Sequence, residues 1–387
     1  MTPQSNGSSS FWPGLPLALL LALTTGCSAI GNLFGGPDVK AVATSVQKPA
    51  NVALYLEVTE GDEPVTELEN QNFQIYENGQ LLAADEIGQR LLPREPVTNE
   101  RVVVLVDLSG KPKPELRESY AKAVENFVAR VQSELAVTVL AYDGGPGLKF
   151  AGDFPRAPEG SPPPNAAGLR GLAPGDASRD LYGAVLKGVK ELDIRLMAQK
   201  KPVRIGTLLV FARGPDLAGR LTQEQLEQAL ENQNYNLIGV GVGEQTPYLD
   251  QIAHAGVIHA QGEDTVPIAF EEAASRVLKT HHKYYVIAYC SPARAGTPSL
   301  RVEVHYTSKD NDDKTGSYSY QFDAQGFGPG CNPDSTPHFV VPKSENEAAP
   351  ASTSTEPAAN PADATTSPNG AAPGGEVAPP PDKPEYK

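Results

Sequence analysis

Apolar and polar positions follow two different periods along this chain, and the change of period marks its organisation. Residues 52–58 (Val-Ala-Leu-Tyr-Leu-Glu-Val) read as a strand, followed by a turn at Glu60-Gly61-Asp62. Residues 73–77 alternate apolar and polar and run into Asn78-Gly79, a hairpin signal. From residue 101 strands alternate with helical patterns. Residues 102–106 are five consecutive apolar positions, mostly β-branched, as expected of a strand buried on both faces. The stripe Leu116, Tyr120, Val124, Phe127, Val128, Val131 predicts a helix over 114–135, with Pro114 suited to its first turn. A strand over 136–142, a helix over 181–197 and a strand over 205–212 come next. Thr222, with Gln225 behind it, caps a further helix. A strand over 237–242, a short helix over 248–255 and a longer one over 267–280 complete the series. This alternation predicts a mostly parallel sheet with helices on both faces.

The period then returns to two. Residues 284–289, 300–306 and 318–322 read as antiparallel strands, with 310–316 as a polar turn. Neither these strands nor those before residue 100 can build a core alone. The economical arrangement is one antiparallel β-sandwich made from both ends, flanking a Rossmann-like α/β unit. Residues 144–176, dense in Gly and Pro, read as a long irregular excursion.

Composition sharpens the picture in two ways. The formal net charge of -15, from 32 Lys+Arg against 47 Asp+Glu, excludes a nucleic-acid surface, since no basic run offsets it. Gly and Pro, at 36 each, are too frequent for one compact domain. The expected division is a signal segment over 1–26, a tether over 27–49, and the sandwich's first part over 50–99. The α/β unit follows over 100–283, the sandwich's second part over 284–333, and a disordered Pro/Ala/Ser/Thr-rich tail over 334–387.

Residues 15–23 form an apolar stretch too short to span a bilayer. It ends in Leu23-Thr24-Thr25-Gly26-Cys27, which resembles the lipobox of bacterial lipoprotein signal peptides. The resemblance implies cleavage before Cys27, acylation of that residue and attachment to a membrane. Ser28 points, by analogy, to the outer membrane, with its periplasmic or surface face open. Residues 1–10 lack the usual Lys or Arg, and an ordinary secretory signal with an incidental cysteine is the alternative. With Cys27 set aside, Cys290 and Cys331 make an even pair in an export compartment and are expected to form a disulfide. Two separate thiols are the other possibility.

The strand over 102–106 ends in Asp107, and the carboxyl end of a central strand is where open α/β sheets bind ligands. Residues 101–283 resemble a von Willebrand factor A domain. That family carries Asp-x-Ser-x-Ser after the first strand; here Asp107 and Ser109 are present and Lys111 takes the last position. Its second element is a Thr before the helix that contains Leu-Tyr-Gly-Ala. In Ser178-Arg179-Asp180-Leu181-Tyr182-Gly183-Ala184 the helix start is present and Arg179 falls at the Thr position. Its third is an Asp-Gly closing a strand, where this chain has Arg213-Gly214. Intact members hold Mg2+ or Mn2+ there, in a metal-ion-dependent adhesion site completed by an acidic group of the partner. Such hard cations need oxygen ligands. A cation beside another unit charge feels roughly 4 kcal/mol at an effective dielectric near 20. The resemblance therefore implies a degenerate site with no metal and no other cofactor, in which Arg213 or Lys111 pairs with Asp107. A slipped alignment would instead leave Ser178 or Asp180 as a ligand.

The remaining signals are weaker. Gly239, Gly241 and Gly243 overlap a strand and lack dinucleotide-loop spacing. His281 and His282 are adjacent, so on a helix they diverge by about 100° and make a poor metal pair. Asp310, Asp312 and Asp313 resemble the start of a calcium loop but fit a hairpin turn better. Ser109 has no nucleophile elbow and no His placed to activate it. The expectation is a non-catalytic, lipid-anchored envelope protein that binds or scaffolds an unknown protein partner. The alternatives are a metal-dependent adhesion module with unusual ligands and, third, a hydrolase.

Overall fold

The computed structural model describes residues 36–341, except positions 62, 159, 174 and 232. The expected signal segment, Cys27 and the chain beyond residue 341 lie outside the described residues.

Six strands come first: β1 (Asp38–Gln47), β2 (Asn51–Glu60), β3 (Glu63–Pro64), β4 (Phe73–Glu77), β5 (Gln80–Leu81) and β6 (Arg90–Leu92). The α/β unit opens with β7 (Thr98–Asp107), α1 (Pro114–Val131), β8 (Ala136–Tyr142), β9 (Lys149–Phe154), α2 (Ala167–Gly171) and α3 (Leu181–Met197). It continues through β10 (Val203–Ala212), α4 (Gln223–Leu230), β11 (Asn236–Val242), α5 (Pro247–Asp250), β12 (Val257–Ala260) and α6 (Val266–His282). Then come β13 (Tyr284–Cys290), β14 (Ser299–Thr307) and β15 (Asp313–Gln321).

The central sheet runs β12-β11-β10-β7-β8-β9, parallel except for β9, which is antiparallel to β8. β7 has β8 on one side and β10 on the other, so the order reverses at its carboxyl end, where such sheets form a crevice. Side-chain alternation along β7 supplies both faces. Val102, Val104 and Val106 pack with Phe127 of α1, Phe211 and Phe270 of α6, while Val103 and Leu105 pack with Val185, Val189 and Leu192 of α3. This is the Rossmann-like, von Willebrand factor A-like arrangement that the resemblance implied.

Two antiparallel sheets flank it. One runs β1-β2-β13-β6, with β3 against β2, and the other β15-β14-β4-β5. Leu54 and Leu56 of β2, Ile75 of β4, Ile287 of β13 and Val302 of β14 share their core, so strands from both ends do complete one sandwich. Cys290 and Cys331 form a disulfide with Cα atoms 5.7 Å apart. A smaller apolar cluster, with Tyr55, Val97, Val203, Tyr284 and Phe339, lies where the chain passes between sandwich and α/β unit.

Four sequence readings are corrected. The tether over 27–49 contains β1, which pairs along its whole length with β2; its small Ala and Ser positions mute the alternation. The tail does not begin at 334, because Phe339 is buried against Tyr55 and Val340 bridges Thr44. The excursion over 144–176 holds the edge strand β9 and the short α2, whose interrupting glycines hide their period. The turn placed at 310–316 is tighter: β15 already starts at Asp313, because Lys314 and Thr315 pair with Tyr306 and His305.

Candidate functional site

Asp107 is fully buried at the end of β7. An isolated carboxylate there would be costly, so its surroundings decide what the site can do. Its Oδ1 accepts the Ser109 backbone N–H at 2.8 Å. Its Oδ2 accepts the Arg179 guanidinium Nε–H at 2.6 Å and the Arg213 backbone N–H at 2.9 Å. Arg179 is itself only 8% exposed and donates a second bond to the Pro215 carbonyl at 3.0 Å. A Cβ on Gly214 would stand 2.7 Å from the Arg179 Nη1, so the bare glycine makes room for the guanidinium.

The pairing cation is thus Arg179, and the expected pairing of Asp107 with the Arg213 or Lys111 side chain is overturned. The Arg213 guanidinium is drawn elsewhere, to Glu263 at 2.8 Å and the Ser109 carbonyl at 2.8 Å. Tyr120 donates to the same Glu263. Burial first, and then that bond, push the Tyr120 hydroxyl far above its usual pKa, so it stays a donor. Gly110 and Lys111 both adopt left-handed backbone (φ 66° and 51°), and Lys111 is exposed at the rim. Ser178 is bonded to Asp176 through its N–H and hydroxyl, at 2.9 Å each, and is not brought to Asp107. Asp180, the other alternative ligand, is buried and paired with Lys187 at 3.1 Å.

Sequence reasoning missed a further acid. Asp143 follows β8 as Asp107 ends β7, and the same pattern, a buried strand running into an acid and a glycine turn, could have flagged it. It accepts Lys149 Nζ at 2.6 Å and the backbone N–H groups of Gly145, Gly175 and Asp176 at 2.8, 2.7 and 3.2 Å. Burial raises its pKa, but these four donors outweigh it and hold the carboxyl at about 2. The carboxyl edge of the sheet therefore carries four acid–base pairs: Asp107 with Arg179, Asp143 with Lys149, Asp180 with Lys187, Glu263 with Arg213.

That donor set does not fit Mg2+ or Mn2+. One carboxylate points into the site, and a guanidinium nitrogen lies 2.6 Å from the oxygen a metal would need. Ser109 Oγ is buried without a hydrogen-bond partner among the described residues.

The opposite edge of the sheet needs another correction. His281 and His282 end α6, and although their Cβ directions diverge, both imidazoles reach one carboxylate beyond the helix. Their Nε2 atoms lie 3.4 and 2.6 Å from Glu134 Oε2.

Fold and site together define an α/β unit of von Willebrand factor A-like fold, set in a β-sandwich, with a salt-bridged crevice. No family model and no curated protein matches the chain. Among solved structures it is similar to proximal thread matrix protein 1 of the mussel byssus (17% identity, TM-score 0.36, 47% of this chain and 48% of that one). The match therefore spans about half the length of the mussel protein. It is also similar to a von Willebrand factor type A protein from Catenulispora acidiphila (12% identity, TM-score 0.34, 77% and 74% of the two chains). A third likeness is to the SpRpn10 VWA domain (11% identity, TM-score 0.33, 45% and 94%). At such scores the likenesses add nothing to the strand order, which defines the fold by itself.

Proposed function

We propose that the chain is a non-catalytic protein-binding or scaffolding module of the cell envelope, whose adhesion-type crevice is held together by Arg179 in place of a metal. The buried Asp107–Arg179 pair carries this reading, because it occupies the carboxylate that a metal-bridged contact would use. An acidic partner group would then meet the crevice directly, at the exposed Lys111. Catalysis is left out because Ser109 Oγ has no hydrogen-bonded base among the described residues.

In this reading Cys27 carries the lipid anchor and the folded part stands off the membrane, at the outer membrane by analogy with its Ser28 sorting position. The lipobox resemblance supports this. Among the described residues no helix is long and apolar enough to cross a membrane. Mass spectrometry of the chain isolated from its envelope tests the anchor: an unmodified Cys27 removes it.

Mg2+ titration into the metal-stripped full chain tests the crevice. The expected result is no saturable heat and no shift in melting temperature. Saturable Mg2+ binding that Asp107→Asn abolishes would restore the metal-dependent alternative.

A further inference from the structure

From the residues at the amino edge of the sheet, we infer that Glu134, His281 and His282 form a binding site for a divalent transition ion of the Zn2+ type. Glu134 lies in the loop between α1 and β8, and the two histidines close α6. The three candidate ligand atoms lie within 4.8 Å of one another, and both imidazole Nε2 atoms face Glu134 Oε2, at 3.4 and 2.6 Å. Two imidazoles and a carboxylate are a donor set that borderline-soft ions prefer, and one that hard Mg2+ does not. Three protein ligands leave a fourth position to solvent. His282 is 44% exposed at its side chain, and a cavity of about 290 Å3 lined by Arg94, Glu100, Glu134 and His281 gives the ion a way in.

A second layer is already built. His281 Nδ1 is in contact with the Glu100 carboxylate, which leaves Nε2 as the ring nitrogen turned toward Glu134. A carboxylate on the far nitrogen of a ligating histidine fixes the ring and makes it a better donor. Arg94 Nη2 stands against the ring, 2.8 Å from His281 Nε2 and 3.3 Å from Nδ1. It can yield the contact and stay in place, since its Nη1 is held by Glu100 at 3.0 Å and the His281 carbonyl at 2.8 Å. Arg94, Glu100 and Glu134, the charged groups nearest the imidazoles, sum to one negative charge, while Arg101, Arg156, Lys201 and Glu95 line the rest of the cavity.

The site also joins separate stretches of chain. Arg94 and Glu100 lie where the chain enters the α/β unit, and His281 and His282 where it leaves for β13. A bound ion would clamp both crossings to the loop after α1.

The test is calorimetric titration of Zn2+ alone into the metal-stripped full chain carrying Cys27→Ser, so that no free thiol competes. Co2+ absorption serves as a second readout. One equivalent of saturable binding is expected, with a Co2+ spectrum free of thiolate charge transfer. His282→Ala removes an exposed side chain and should abolish binding while leaving the metal-free melting temperature unchanged; Glu134→Gln should do the same. Glu100→Gln should weaken binding by about 10- to 100-fold. His254→Ala, which alters an exposed histidine bonded to the Tyr235 carbonyl, should change nothing. Wild type without saturable Zn2+ binding, or binding that survives His282→Ala, overturns the assignment. Neither result bears on the Asp107 crevice, which is read with Mg2+.

Discussion

The two edges of the central sheet handle the same problem, a carboxylate beside an arginine, in opposite ways. At the carboxyl edge Asp107 is fully buried, Arg179 is nearly so, and Asp107, Asp143, Asp180 and Glu263 are each paired with a base. At the amino edge two acids, two imidazoles and one arginine share a cluster open to a cleft. The first arrangement is closed: a metal could enter only by expelling a guanidinium from a dry site, losing a strong pair while adding repulsion. The second has donors to spare and water at its side. Charge partnering and solvent access, more than the number of acids, separate a structural ion pair from a ligand site.

The most forceful way to break this contrast is to remove the closing cation. Arg179→Ala leaves Asp107 charged, buried and held only by two backbone N–H groups. Breaking a buried pair in this way costs about 3–5 kcal/mol, read from urea or thermal unfolding. Arg179→Ala with Asp107→Asn should recover part of that loss, because no lone charge is then left behind. A small effect of Arg179→Ala alone would mean that the crevice is wetter and looser than its geometry indicates.

Asp143 offers a milder test of the same edge through pH. Its folded pKa, about 2, lies below the ordinary value of 3.8. A depressed carboxyl contributes stability that is fully present above its unfolded pKa and is lost as pH falls through the folded one. The window is therefore pH 4 to 2, and the contribution is about 2 kcal/mol. Asp143→Asn should lower stability at pH 7 by about that amount and flatten the acid limb of the stability curve in that window. An unchanged acid limb would show that Lys149 and the three backbone donors do not act on the charged form.

Which edge could be read from the sequence follows from how each is built. The carboxyl edge was legible because its parts sit at fixed places: a β-branched run ending in Asp107, and the helix start Leu181-Tyr182-Gly183-Ala184 that places Arg179. The choice between arginines was not, because it depends on Glu263, some fifty residues further on, claiming Arg213. β1 was hidden by small residues whose burial comes from β2, and β9 by its glycine and proline neighbours. The amino-edge cluster was misread for a related reason. A 100° divergence between adjacent helix positions describes Cβ vectors, whereas Glu134 beyond the end of α6 lets two long side chains turn to one point. Periodicity registers what lies along one element and is blind to a residue supplied by another.

The smallest stability effect sharpens the contrast most at the level of function. Lys111 stands exposed at the rim of the carboxyl edge, and Arg156 stands at the cleft of the amino edge beside Glu95 at 3.4 Å. Lys111→Glu and Arg156→Glu should each change stability by less than about 0.5 kcal/mol, since neither breaks a buried contact. Their effects on a partner should differ. If an acidic group docks at the crevice, Lys111→Glu should slow association, lower cross-linking yield in the native envelope and reduce the salt dependence of capture, while Arg156→Glu leaves all three unchanged. An equal loss from both would trace capture to overall charge, because a chain of net charge -15 repels acidic partners a little more with every added acid, wherever it is placed. Only an unequal loss ties recognition to the crevice that Arg179 closes.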